Sequence, residues 1–264
     1  MIVKIPYDSS LRDLQAFIQD QLVELLVDSS SVVKRAVLHN VSSLCIFLGR
    51  QRTNDLLLSH MITYLNDRDW LLRYAFFESI VDVAACVGGR SLEEYIFPLM
   101  VQALSGQSVL RLRWCATFLN PCLDFQDVEE TVVARVLAAL TSLSELGLFQ
   151  RMRLWELMSA TLGFLYHPNI WIREGASWPV SPSSLFLTHE TSGASAFIAS
   201  ATKHLPATDV WCILYPSLKH FLRSDVLLIT EQSLLITMKA PVRPFIPWHS
   251  FYSHDHYTAL ASSF

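Results

Sequence analysis

A short string recurs along this chain with fixed internal offsets. Asp28 opens DSSSVVKRA, Asp67 opens DRDWLLRYA and His167 opens HPNIWIREG. In each, two apolar residues and then a basic one follow at the same positions: Val32-Val33-Lys34, Leu71-Leu72-Arg73 and Trp171-Ile172-Arg173. Weaker copies begin at Asp127 (DVEETVVAR) and Asp225 (DVLLITEQS), so short intervals (28 to 67, 127 to 167) alternate with long ones (67 to 127, 167 to 225). A lone helical hairpin cannot bury its own apolar stripe and needs copies of itself on either side. A period of roughly 40 residues, which the short intervals match, marks such stacked units. The pattern predicts an all-α chain, a HEAT-type α-solenoid of about five helical hairpins, in preference to an irregular helical bundle.

The clearest unit is 56–89. Its second helix carries Leu71, Leu72, Ala75, Phe76, Ile80, Val83, Ala84 and Val87 at helical spacing, with Arg73, Glu78 and Asp82 largely off that stripe. Asp67 and Asp69 stand where a carboxylate can accept the free N–H groups of the helix start, and Gly88-Gly89 supplies the stop. Upstream, 11–27 forms a first helix whose partner runs from about Val32 to Leu48 and ends at Gly49. The stretches 92–104 and 209–222 carry Pro98 and Pro216 in mid-helix. A proline there removes a hydrogen bond and kinks the helix, at about 3 kcal/mol in an isolated one.

The two long intervals locate excess sequence within an array spanning 8–240. About 107–126 (QSVLRLRWCATFLNPCLDFQ) lacks the repeat pattern, and about 177–194 (SWPVSPSSLFLTHETSGA) interrupts a helix, since WIREGA should run directly into AFIASATKHL. Both read as insertions, expected from alternative splicing or an imperfect gene model. Residues 241–264, rich in proline and aromatic side chains, read as an irregular tail.

Apolar residues make up 52% of the 264 and charged ones only 17%, as expected of an array taken from a longer parent, whose end repeats lack polar caps. The net charge of −4 and the isolated pairs Arg111/Arg113 and Arg151/Arg153 give no footprint for nucleic acid. No apolar run approaches the roughly 20 residues that span a bilayer. The five cysteines (45, 86, 115, 122 and 212) are widely spaced and match no metal-binding pattern. They read as buried thiols in a reducing, cytoplasmic setting.

No nucleophile elbow, HExxH or phosphate loop is present, and no cofactor is implied. Gly88-Gly89-Arg90-Ser91 reads as a helix stop, and Asp124-Phe125-Gln126 lacks every companion of a kinase metal-binding element. His254 and His256 form an HxH pair without a third fixed ligand. The chain is therefore expected to be non-catalytic. Lys34, Arg73 and Arg173 are expected to pair with the acidic turn of the same or the next repeat. Trp70, Trp171 and Trp211 fit either anchors on a partner-binding surface or packing between repeats.

Three long strings carry a more specific resemblance: LGRQRTNDLLLSHMITYLNDRDWLLRYAFFESI (48–80), LTSLSELGLFQRMRLWELMSATLGFLYHPNIWIREGA (140–176) and KHLPATDVWCILYPSLKHFLRSDV (203–226). They resemble the central HEAT region of the large regulatory subunit of the class III phosphatidylinositol 3-kinase, over roughly 8–104, 127–176 and 195–240. The resemblance implies a scaffold segment supporting assembly with the lipid kinase catalytic subunit and a beclin-type coiled-coil subunit. It implies a cytoplasmic chain that reaches endosomal and autophagic membranes through that complex. The family's kinase-like domain has no matching motif here, and with no N-terminal Met-Gly its myristoyl anchor does not transfer. An unrelated HEAT adaptor, or an enzyme using His254 and His256, are the rival readings.

Overall fold

The computed structural model describes residues 7–104, 125–175 and 192–240, with side chains from Asp13 and Glu130 onward in the first two stretches. These residues form five helical hairpins. The first is α1 (Tyr7–Leu26) against α2 (Ser31–His39) and α3 (Val41–Arg52). The second runs through a π turn at Thr53–Leu58, α4 (Ser59–Met61) and a 3-10 turn at Ile62–Asn66, then turns into α5 (Trp70–Val87). The third comprises α6 (Gly89–Ser91), a π turn at Leu92–Ile96 and α7 (97–104), followed by α8 (Phe125–Glu145).

In the fourth, α9 (Arg151–Thr161) and a 3-10 turn at Leu162–Tyr166 precede α10 (Ile170–Arg173) and α11 (Ala194–Thr202). The fifth has α12 (Ala207–Asp209), a π turn at Val210–Leu214 and α13 (Tyr215–Lys219), then α14 (Glu231–Thr237). The β pairing among the described residues is one isolated bridge, Leu222 with Met238.

The second helices stack in one row. α2 and α3 pack on α5, α5 on α8, α8 on α10 and α11, and α11 on α14. Buried side chains from Leu22 to Met238 form one connected apolar cluster, so each hairpin completes its neighbour's core. This is an all-α, solenoid-like fold. α5 shows how a sequence stripe becomes a core face: Leu72, Phe76, Ile80, Val83, Ala84 and Val87 are inaccessible to solvent, while Leu71 is exposed, outside the stripe to which its spacing assigns it. Gly88 ends the helix at φ 86°, a left-handed conformation that costs a side-chain-bearing residue strain.

Pro98 and Pro216 have the same local setting. Each is preceded by a widened π turn, Leu92–Ile96 before Pro98 and Val210–Leu214 before Pro216. A proline ring clashes with the carbonyl four residues back, and widening the turn that contains that carbonyl moves it aside. The same widening at Thr53–Leu58 occurs with no proline, so the second, third and fifth hairpins share it whether or not a proline follows.

Both weaker repeat anchors are misplaced by the sequence pattern. Asp127 falls inside α8, which begins at Phe125, and the helix after Asp225 does not start until Glu231, capped by Thr230. The segment assigned to 107–126 lies outside the described residues except for Phe125 and Gln126, which belong to α8. That assigned to 177–194 likewise lies outside them up to 191, but Ala194 opens α11 and is fully buried. The tail, 241–264, lies outside the described residues.

Candidate partner surface

The recurring string builds one edge of the row of second helices. In each strong copy the anchor side chain accepts the backbone N–H two residues on: Asp28 from Ser30 at 2.7 Å, Asp67 from Asp69 at 2.9 Å, His167 Nδ1 from Asn169 at 3.1 Å. The helix then starts one residue later. Asp69 caps α5 by accepting from Leu71 N–H at 2.9 Å, and Asn169 caps α10 by accepting from Trp171 N–H at 2.9 Å.

In two of the three strings the basic residue closes the turn. Arg73 Nη1 donates to the Asp67 carbonyl at 2.7 Å and Arg173 Nη1 to the His167 carbonyl at 3.2 Å. Lys34 instead reaches the next hairpin, 3.6 Å from Asp67, and Arg35 stands 3.9 Å from Asp69. Further along, Asn169 donates to Glu130 of α8, whose carboxylate stands 4.0 Å from His167. The motif's charges thus join hairpins to one another.

The first helices are tied as well. The Tyr64 hydroxyl donates to the Leu26 carbonyl, Glu93 accepts from Gln150 N–H at 2.9 Å, and Arg151 pairs with Asp209.

The three tryptophans are not brought to one surface. Trp70 at the start of α5 and Trp171 in α10 are half-buried and packed against the core, two hairpins apart. Trp211 lies on the first helix of the last hairpin, 38% exposed, with its ring 5.1 Å from Tyr215. The Tyr215 hydroxyl donates to Asp225 at 2.7 Å, and Lys219 approaches the same carboxylate at 2.9 Å.

The exposed apolar side chains gather mainly on the first and last hairpins, where the composition predicts end repeats without polar caps. Phe17, Val32 and Ile46 (85% exposed) mark the first hairpin, and Ile213, Leu227 (92%), Leu228 and Ile236 (81%) the last. Their sequence signal is faint, because an apolar position in an end repeat looks the same as one in a middle repeat. Large exposed apolar patches mark sites where further protein docks.

For chemistry the described residues offer little. No group of three or more potential metal ligands occurs among them, and His254 and His256 lie outside them. Cys45 is buried beside Cys86, and burial pushes its thiol up to about 12, far from a reactive thiolate. Among the described residues no single helix is long and apolar enough to cross a membrane.

Comparison with known proteins accounts for the arrangement. A family model described as "PIK3R4-like, middle domain" matches residues 2–110, 107–184 and 191–246. The chain is 36% identical over 249 residues to the probable serine/threonine-protein kinase vps15 of Dictyostelium discoideum, covering 89% of this chain and 11% of that protein. It is 32% identical over 231 residues to a non-specific serine/threonine protein kinase of Candida glabrata (88% and 14%). With the serine/threonine-protein kinase VPS15 of Arabidopsis thaliana it shares 28% identity over 247 residues (92% and 14%). The chain therefore spans 11–14% of the length of these relatives. With repeat strings, stacked hairpins and family match in agreement, this chain belongs to the PIK3R4-like middle-domain family.

Proposed function

We propose that this chain is a non-catalytic helical scaffold segment of the regulatory subunit of a class III phosphatidylinositol 3-kinase complex. In this reading it supports assembly with the lipid kinase catalytic subunit and a beclin-type coiled-coil subunit, in autophagy and in endosomal or vacuolar sorting. It is cytoplasmic and meets endosomal and autophagic membranes through those partners.

The observation that carries the reading is the middle-domain match together with the exposed apolar side chains on the first and last hairpins. A solenoid whose end repeats are not polar is suited to continue into, or pack against, further protein. The relatives are named as serine/threonine kinases, and the matched region is a small middle portion of them, so the kinase chemistry is assigned elsewhere in those proteins.

The test is co-precipitation of tagged 1–264 with the class III lipid kinase and beclin-type subunits expressed together. Capture of both subunits supports the scaffold reading. Capture of neither, with the tagged chain folded by circular dichroism, removes the partner assignment.

A further inference from the structure

The fourth hairpin has its second helix in two pieces, and the pieces abut. α10 and α11 both pack on α8. A Cβ placed on Gly193 would lie 2.4 Å from the backbone nitrogen of Gly175 and 2.7 Å from the carbonyl carbon of Glu174. The chain therefore leaves this helix after Gly175 and returns to nearly the same point at Gly193.

The buried residues agree on what the two pieces make together. With 176–193 left out of the count, Ile172, Ala194, Phe197, Ile198, Ala201 and Leu205 fall 5, 9, 12, 13, 16 and 20 positions after His167. Leu72, Phe76, Ser79, Ile80, Val83 and Val87 fall at those same distances after Asp67, and all twelve are buried. The spacing of the first set is that of one continuous amphipathic helix. Every residue of α11 from Ala194 to Ala201 is buried, so burial alone does not select this register; the two ends of the match, Ile172 and Leu205, keep the spacing of Leu72 and Val87.

The sequence at the two edges is also the same. Gly175-Ala176-Ser177 is repeated as Gly193-Ala194-Ser195, so removing a stretch of this length in any register within the repeat leaves one product, REGASAFIAS. Gly175 has φ 67°, the left-handed conformation that turns the chain out of α10. Glycine can equally adopt helical angles, so the same residue serves a broken or an unbroken helix.

We propose that residues 176–193 are a removable insertion in a helix encoded as continuous from Ile170 to Thr202, and that the array folds and packs the same way without them. In the shorter form α10 and α11 become one helix on α8 and the fourth hairpin takes the dimensions of the second.

Thermal unfolding of the whole chain, of the form lacking 176–193, and of a form with 176–193 replaced by an equally long Gly/Ser sequence tests this. The shorter form is expected to melt a few degrees higher, since closing a long connection costs entropy, with helical circular dichroism per residue undiminished. The Gly/Ser form should melt with the parent. A shorter form that is unfolded or melts lower overturns the proposal, because the two pieces are then not in register. A Gly/Ser form that melts well below the parent also overturns it, by showing that the native stretch packs on the array.

Discussion

Arg135 on α8 holds its Nη2 3.1 Å from Oε1 of Glu78 on α5, with its guanidinium carbon 5.5 Å from the Tyr74 ring centroid. The arginine is buried and the glutamate half-buried, so the second and third hairpins are joined by a charge pair drawn partly out of water. Removing one partner of such a pair costs more than replacing both, because the remaining charge keeps its desolvation penalty. Glu78→Ala should lower stability by about 2–3 kcal/mol, somewhat less than for a fully buried pair. Glu78→Leu combined with Arg135→Met should recover most of that loss. Urea midpoints of the single and double variants check this; a double variant as unstable as the sum of the singles would show that packing, not charge, dominates.

This pair illustrates what the sequence could and could not reveal. The turns were legible because capping is local: Asp67, Asp69 and Leu71 are near neighbours in the chain and the chemistry needs nothing beyond them. Asp127 misled for the same reason, since a capping residue and a first-turn residue look alike until the helix start is known, and α8 starts at Phe125. The exposure of the tryptophans was not legible at all. Trp70 and Trp171 carry the same side chain as Trp211, yet they pack against the core while Trp211 is 38% exposed, a difference that their local strings do not encode.

The Asp69 carboxyl predicts acid sensitivity. Burial pushes its pKa up, but the hydrogen bonds from Ser31 and from Leu71 N–H, with the Arg35 guanidinium nearby, outweigh burial and hold it below the ordinary aspartate value of 3.8. A folded value below the unfolded one means a stabilising contribution that is complete above the unfolded value and is lost as pH falls through the folded one. Thermal midpoints should therefore drop below about pH 4, and Asp69→Asn, which keeps a capping oxygen but not the charge, should flatten that drop. Parallel acid profiles for the two proteins would assign the sensitivity to other carboxylates.

Tyr64 predicts a hydrogen-bond loss of defined size. Its buried hydroxyl, pushed up to about 12 by burial, stays neutral and donates at 2.7 Å to the carbonyl of Leu26, the last residue of α1. That carbonyl is one of the helix-end acceptors with no partner within the helix. Tyr64→Phe should cost about 1–2 kcal/mol in urea unfolding, as a buried acceptor loses its donor. Tyr166→Phe removes a more exposed bond, to the carbonyl of His220, which water can replace, and should cost less. Equal losses would mean that the Leu26 carbonyl is rehydrated in the variant.

The end faces separate stability from association. Ile46 and Leu227 are 85% and 92% exposed, so neither contributes much burial to the fold. Ile46→Asp and Leu227→Asp should each leave the thermal midpoint nearly unchanged, because surface substitutions away from structural features stay within about 0.5 kcal/mol. They should also make the isolated chain less prone to self-association at high concentration, since each breaks an apolar patch with a charge. Sedimentation velocity at rising concentration checks the second effect and calorimetry the first. A clear fall in midpoint for Ile46→Asp would mean that α3 is packed more deeply than its exposure shows. Unchanged association for both variants would mean that bare end hairpins are not what draws these chains together, and would remove the physical support for end-to-end packing in the scaffold.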